Sequence, residues 1–312
     1  MDWSDRIGRR IKLRDLHIVL AVAEEGSMAK ASAKLAISHP VVSKTVSDLE
    51  HTLGVPLFDR NSRGVALTPF GEALLKCGTN VFDDMRHGLK EIEFLADPTS
   101  GKLAVGGPEI VMAGILPAIS ESFLRRFPGV QLRVVHADTA LMQFNQLLDR
   151  DVELLIGRVP RRLVEDDLVS EPLLEEPFVA VAGKDSQWAR RRRIELSELV
   201  EEYWVLPPYD SAPGVLIVEL FHRSGVKPPE ASIVTLSVQL TITLITSGSF
   251  VGLLPSAVAR LSAKRVGLKI LPVKLPGIRY SVEIITVRNR AASPLAKLFI
   301  EEARAVAKSL ST

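Results

Sequence analysis

One cysteine, Cys77, occurs in 312 residues, so no disulfide can form within the chain, and the composition suits a reducing compartment. The opening MDWSDRIGRR carries charge where a secretory leader has an apolar core, and no run reaches membrane-spanning length without charged residues. A soluble, cytoplasmic protein with no membrane partner is therefore expected. Catalytic signatures are also scarce. In Gly248-Ser249-Phe250-Val251-Gly252 the serine stands one place too early for a nucleophile elbow. Gly106-Gly107 lacks the third glycine of a dinucleotide fingerprint. The six histidines are scattered, none paired with Cys or carboxylates at metal-ligand spacing. The expectation is no catalytic residue, no metal and no cofactor, hence no enzyme.

Charge of one sign is missing as well: 39 Lys and Arg face 37 Asp and Glu, a net +2. Residues 1–70 hold ten of the cations and eight of the anions, so the whole excess lies there, with twenty-nine of each sign beyond. Two charges make a weak phosphate binder, and useful affinity would need two or more such segments acting together. The length suits about two or three domains, and a 46% hydrophobic content is enough to build cores in them.

The most informative stretch runs from Gly26 to Leu75. Ser27 is placed to cap a helix over Met28–Ala36, and Ser38 to cap a second from His39 to about Leu53. Pro40 falls in the first turn, where a missing N–H costs little, so the Ser38 cap is expected on the Val41 N–H. Ile37 and Val42 sit at hydrophobic-staple spacing. Val42, Val46, Leu49 and Leu53 make an inner face for Ala31 and Leu35 to cover. His39, Pro40, Ser43, Lys44 and Ser47 are left outside, where they could reach base edges and phosphates. Alone, the segment could equally be a helical hairpin facing water. The following LGVPLFDRNSRGVALTPFG favours DNA: Asn61-Ser62-Arg63-Gly64 is turn chemistry between apolar runs, with Arg60 and Arg63 on the resulting wing.

These residues resemble the winged helix-turn-helix of LysR-type transcriptional regulators. The matches are Leu13-Arg14, Leu16, Ala23-Glu24-Glu25-Gly26-Ser27, Ser38, Pro40, Val42-Ser43, Leu49-Glu50, Leu53-Gly54, Leu57-Phe58, Arg60, Arg63-Gly64, Leu67-Thr68 and Gly71-Glu72. His39 stands where the family commonly has Gln, Val19 where a Phe is usual, and Ser32 where a small Ala is usual. The resemblance implies a double-stranded DNA operator as partner, with Ser27, Ser38, His39, Pro40, Ser43, Lys44, Ser47, Arg60 and Arg63 as the contacting set.

After Pro69 no strong helix breaker appears before Asp97, and Leu74, Val81, Met85, Leu89, Ile92 and Leu95 recur at three-to-four spacing. An amphipathic helix of that length can pack on its own domain or on a second copy. The resemblance implies a dimerising linker, hence a homodimer or homotetramer. Gly78 and Gly88 weaken the helix while permitting close approach, and Pro98-Thr99-Ser100-Gly101 ends it.

Beyond the linker the pattern alternates. Strands are expected at Lys102–Gly106, Val130–Val135, Glu153–Gly157, Phe178–Ala182, Tyr203–Leu206, Ile233–Thr235, Val251–Leu254, Leu268–Pro272 and Val282–Val287. Helices are expected at Val111–Phe127, Thr139–Asp149, Ala212–Ser224, Val238–Ser247 and from Pro294. Such alternation predicts an open α/β sheet, mostly parallel. The resemblance implies an effector domain of two α/β lobes resembling periplasmic solute-binding proteins, with chain crossings near Arg158–Arg162 and Lys264–Lys269. The expected domains are 1–67 for the winged helix-turn-helix, 68–98 for the linker and 99–312 for effector binding. Lobe one takes about 99–160 and 269–312, and lobe two about 161–268.

Ligands of open α/β sheets sit at strand carboxyl ends against helix starts. Four turns occupy such places, and the resemblance puts a small-molecule effector among them: Glu109, Ile110 and Val111; Asp138 and Thr139; Tyr209 and Ser211; Ser237 and Gln239. Each residue taken singly could be just a helix cap. Many family members bind small carboxylates through Ser or Thr at the first turn, where this chain has Glu109, so an uncharged, polyhydroxylated or cationic effector is expected. The Arg190–Arg193 run, far from the wing, reads as a solvated loop or a subunit contact. Ligand-controlled, sequence-specific transcription regulation is the function expected. The alternative is an enzyme or solute-binding module fused to a DNA-binding domain.

Overall fold

Leu16, Ile18, Val19, Ala21 and Val22 share the inward side of helix α1 (Leu13–Glu25), which Gly26 ends in the left-handed conformation. The computed structural model describes residues 11–61, 64–137, 144–158 and 168–311. It divides into two units, Met1–Leu89 and Lys90–Thr312. In the first, helix α2 (Met28–Leu35) and helix α3 (His39–Leu53) follow α1. Val42, Val46 and Leu49 of α3 are buried with Ala31, and Leu35 and Leu53 pack at the margin of that cluster. Strands β1 (Phe58–Asn61) and β2 (Gly64–Leu67) pair antiparallel from Phe58–Leu67 to Asn61–Gly64.

Helix α4 (Pro69–Ala96) carries the chain onward. Its start is fixed by Thr68, whose hydroxyl accepts the Gly71 N–H at 3.1 Å and donates to the Pro56 carbonyl at 2.7 Å. A Cβ on Gly71 would lie 2.1 Å from the Leu57 carbonyl oxygen, so only glycine fits there. Gly78 approaches Leu16 and Leu20 of α1 in the same unit, while Gly88 has nothing within 4 Å.

In the second unit parallel strands alternate with helices at each of two ends. In the first end lie β3 (Ser100–Gly107), α5 (Glu109–Ala113), α6 (Leu116–Arg126), β4 (Gly129–His136), α7 (Asn145–Leu148) and β5 (Leu154–Gly157). The long β6 (Leu168–Gly183) leads to the other end. There β7 (Tyr203–Leu206), α8 (Ala212–Arg223), β8 (Ile233–Val234), α9 (Val238–Thr246), β9 (Phe250–Pro255), α10 (Ser256–Val266) and β10 (Leu268–Ile270) follow. β11 (Arg279–Val287) and α11 (Pro294–Ser311) complete the unit. The strand path is β4-β3-β5-β11-β6-β9-β7-β8, with β10 also on β6.

The sheet is mixed rather than mostly parallel. β3 pairs parallel with β4 and β5, and β7 with β8 and β9, but β6 and β11 meet their neighbours antiparallel. One crossing between lobes lies inside β6: Leu168–Pro177 pairs with β11, and Phe178–Ala182 with β9. The second is Leu271–Ile278, beyond the expected Lys264–Lys269, which falls on the end of α10 and the start of β10. Of the expected Arg158–Arg162 crossing, only Arg158 is among the described residues.

Other departures have local causes. The helix expected over Val111–Phe127 is two helices, because Gly114 leaves helical geometry and Pro117 starts the next one. Within Thr139–Asp149 the described helix is Asn145–Leu148, since residues 138–143 lie outside the described set. Pro172, Pro177 and three glutamates hid the first half of β6, and α10 was not anticipated.

Trp204, Phe123, Phe221 and Phe299 are the bulkiest buried side chains of this unit. Phe123 meets Phe299 edge-on at 5.2 Å, and Trp204 meets Phe221 at 5.5 Å. Beside Phe299, Glu302 accepts hydrogen bonds from Ser122 and Arg126, which hold its carboxyl below the usual carboxylate range. A depressed carboxyl stabilises the fold above its ordinary pKa and ceases to do so as pH falls through the lowered value. Glu302→Gln should therefore lower the thermal midpoint at pH 7, with the deficit shrinking below pH ~4. An undiminished deficit at pH 3 would exclude this origin.

Candidate functional site

In the first unit the exposed flank of α3 is formed by its own periodicity. His39, Pro40, Lys44 and Ser47 are exposed and Ser43 is half-buried, while Val42 and Val46 are fully covered. Ser27 caps α2 as expected, its hydroxyl accepting the Lys30 N–H at 3.4 Å. Ser38 differs: its side chain makes no cap. Its backbone carbonyl accepts the Val41 and Val42 N–H groups at 3.0 and 3.3 Å instead. With Pro40 in that first turn, the hydroxyl stays exposed beside His39.

The wing is tied to α3 by Glu50, which matches the family pattern but has no expected role of its own. Glu50 Oε1 accepts the Leu57 N–H at 2.8 Å and the Phe58 N–H at 3.2 Å, holding β1 against that helix. Val65 N–H donates to the Gly26 carbonyl at 3.0 Å, fixing β2 to the turn between α1 and α2. Arg60 lies in β1 opposite Val65, and Arg63 lies outside the described residues. This is an exposed helix flank next to a rigidly held hairpin, the shape that can enter a major groove and rest on the neighbouring backbone. Lys44→Ala should leave folding intact and weaken DNA retention with a shallower salt dependence if it contacts phosphate. An unchanged salt slope with loss confined to particular sequences would place Lys44 on a base instead.

In the second unit a cavity of about 130 Å³ opens between the lobes. Glu109, Ile110 and His136 line it from the first lobe, Thr235, Ser237 and Thr241 from the second, and Phe178 and Tyr280 from β6 and β11. Leu253, Leu254, Ile217 and Val205 add apolar wall. Phe178 and Tyr280 meet edge-on at 6.1 Å. Burial pushes the Tyr280 hydroxyl up to about 12, with nearby Arg158 opposing the shift, so it stays protonated and can donate. Arg158 itself donates to the Ala212 carbonyl at 2.6 Å, linking the end of the first lobe to the start of α8.

The expected effector residues separate into groups. Glu109, Ile110 and Ser237 line the cavity; Gln239 is not part of its wall, although its N–H donates to Glu109 Oε1 at 2.8 Å. Val111 is buried in the lobe core. Ser211 is buried as the cap of α8, donating to the Pro208 carbonyl at 2.5 Å and accepting from the Gly214 N–H at 3.2 Å. Tyr209 donates to the Pro229 carbonyl at 2.5 Å, and neither residue lines the cavity. Asp138 and Thr139 lie outside the described residues. Phe178, Thr235, Thr241 and Tyr280 were not anticipated: Phe178 and Tyr280 read as strand core, and the two threonines as the end of a strand and the interior of a helix.

In the Arg190–Arg193 run, Arg191 pairs with Glu198 at 2.8 Å and Arg193 with Glu195 at 2.9 Å, and all four are exposed. Among the described residues no cluster of His, Cys, Asp or Glu could hold a metal, and no helix is long and apolar enough to cross a membrane.

Comparison with known proteins fits both units. The LysR substrate binding domain matches residues 96–308, and the bacterial regulatory helix-turn-helix protein of the lysR family matches residues 13–72. The transcriptional regulator GbpR of Azospirillum brasilense is 25% identical over 300 residues, covering 95% of this chain and 86% of that protein. TdfR of Cupriavidus pinatubonensis, also an HTH-type transcriptional regulator, is 30% identical over 255 residues, covering 80% and 84%. A crystal structure of full-length CbnR with its target DNA shares the fold at a TM-score of 0.56 and 22% identity, covering 95% of this chain and 100% of that one. The chain belongs to the LysR family of bacterial transcriptional regulators.

Proposed function

We propose that this regulator binds an operator through α3 and the wing, pairs with a second copy through α4, and responds to a small molecule held in the interlobe cavity. The observation that carries the reading is the exposed α3 flank beside a wing tied down by Glu50. His39, Pro40, Ser43, Lys44 and Ser47 face the groove, with Ser27, Ser38, Arg60 and Arg63 on the flanking backbone. The working domains are 1–67 for DNA, 68–98 for pairing and 99–312 for the effector. The protein acts in the cytoplasm and turns nothing over.

Pairing through α4 is supported by Met85, Leu89, Ile92 and Leu95, which are 45%, 58%, 64% and 79% exposed along one stripe. Covering four large apolar side chains with a second copy removes a sizeable patch from water. A double Leu89→Asp, Ile92→Asp variant should sediment as a monomer and lose at least tenfold in DNA affinity, since two modules then no longer bind together. A variant that stays dimeric would move the interface elsewhere.

Control by the effector requires only that it prefer one arrangement of the two copies. A coupling of about 1–3 kcal/mol is the usual scale. The test is a gel-shift titration on DNA upstream of this gene, with and without uncharged ring-sized compounds. Retention on an imperfect palindrome, altered by a compound recovered unchanged, is the expected result. Binding that ignores sequence, or a compound consumed during the assay, would defeat the reading.

A further inference from the structure

The Glu109 carboxylate reaches from α5 in one lobe to the start of α9 in the other. Its Oε1 accepts the Gln239 N–H at 2.8 Å and the Ser237 hydroxyl at 3.3 Å. Backbone N–H groups in the first turn of a helix lack partners within it, and that end of the helix dipole favours negative charge. The chain supplies the anion itself, from 130 residues away.

The adjoining cavity is an independent observation. Glu109 and Ser237 form part of its wall, and the rest is chiefly apolar, with Ile110, Phe178, Leu253 and Leu254. Its volume of about 130 Å³ approaches the roughly 150 Å³ that holds one benzene ring in an engineered apolar cavity. A second carboxylate entering this space would find the α9 donors taken and a like charge beside it. Both effects count against it.

We propose that Glu109 determines the charge of the ligand: by filling the anion seat at the start of α9 from within, it makes the cavity accept uncharged, ring-sized compounds and reject carboxylates. This deepens the reading of the cavity as the effector site and rests on it. Removing the carboxylate frees the Gln239 N–H and the Ser237 hydroxyl while leaving the apolar wall in place. The specificity should then reverse.

The test uses the full chain, with acetate and acetamide as probes of one shape and different charge, at constant ionic strength and pH 7. Binding is read by calorimetry and by the thermal midpoint. The parent should respond weakly to acetamide and still more weakly to acetate. Glu109→Ala should bind acetate at least tenfold more tightly than the parent does, with a raised midpoint, and show no such gain for acetamide. Should Glu109→Ala fail to fold, Glu109→Ser removes the same carboxylate and is titrated in its place. Equal acetate affinity in parent and variant, or an equal gain for acetamide, overturns the proposal. The effector reading fails separately: acetate can gain in the variant while no uncharged compound alters DNA retention by the parent. The seat assignment then stands, and the cavity is not the regulator's switch.

Discussion

Val46→Asp is expected to unfold the DNA-binding unit outright. Val46 is 0% exposed and sits in one cluster with Val42, Leu49, Ala31 and Val22. Losing the valine's burial costs about 1.5–3 kcal/mol. Holding an ionised carboxylate in its place costs several kcal/mol more, because nothing apolar there can pair with it. Together these approach the roughly 5–15 kcal/mol that stabilises a typical domain. Far-UV circular dichroism should lose the helical signal of the first unit, and DNA retention should vanish at every salt concentration. Lys44→Ala, on the opposite flank, should melt like the parent. A parent-like melt for Val46→Asp would mean that α3 does not turn this face inward, and the exposed flank would be lost with it.

The second large effect is expected at Gly214, in the first turn of α8. A Cβ there would stand 1.9 Å from the Pro208 carbonyl oxygen and 2.8 Å from Tyr209 Cα. Both are backbone atoms, which cannot rotate away as a side-chain end can. Relief would require separating the Pro208–Ser211 turn from the helix, breaking the Ser211 cap on the Gly214 N–H. Overpacking of well-packed sites costs typically about 1–3 kcal/mol, and a backbone collision belongs at or above the upper end. Gly214→Ala should therefore lower the unfolding midpoint of the effector unit by many degrees and disturb Pro207 and Pro213 in the cavity wall. Gly88→Ala provides the contrast. That glycine lies within α4 with open space around it, and alanine there should stabilise by about 0.5–1 kcal/mol. Thermal unfolding of both variants decides; two parent-like melts would refute the close approach at Gly214.

The first unit was legible because its determinants are local. Helix periodicity placed Val42, Val46 and Leu49 inside and His39 and Lys44 outside, and those placements follow from spacing alone. The Ser38 cap failed because the same residue offers a carbonyl that serves the turn equally well, and sequence does not choose between them. Glu50 was hidden for another reason: its partners lie seven and eight residues on, across a loop, where periodicity carries no information. In the second unit the strands and helices of each lobe were readable, but their assembly was not. Pro172 and Pro177 obscured a strand that tolerates them because its pairings with β9 and β10 begin only after Pro177, so that each missing N–H falls in the part laddered to β11. The cavity wall depends on side chains brought together from β6, β11 and both lobes, so Tyr280 and Phe178 read only as core. Glu109 was singled out for its charge, but its donors in α9 could not be named before the fold was known.

Strand β6 is shared by both lobes, whereas the two units of the chain are joined through the single helix α4. That difference constrains heredity. Recombination near the end of α4 exchanges one whole unit for another and leaves every sheet ladder intact, so new pairings of operator and ligand can arise by shuffling. A breakpoint within residues 168–183 instead joins two parental halves of one strand, and each half must then suit ladders to β11 and β9 with which it did not arise.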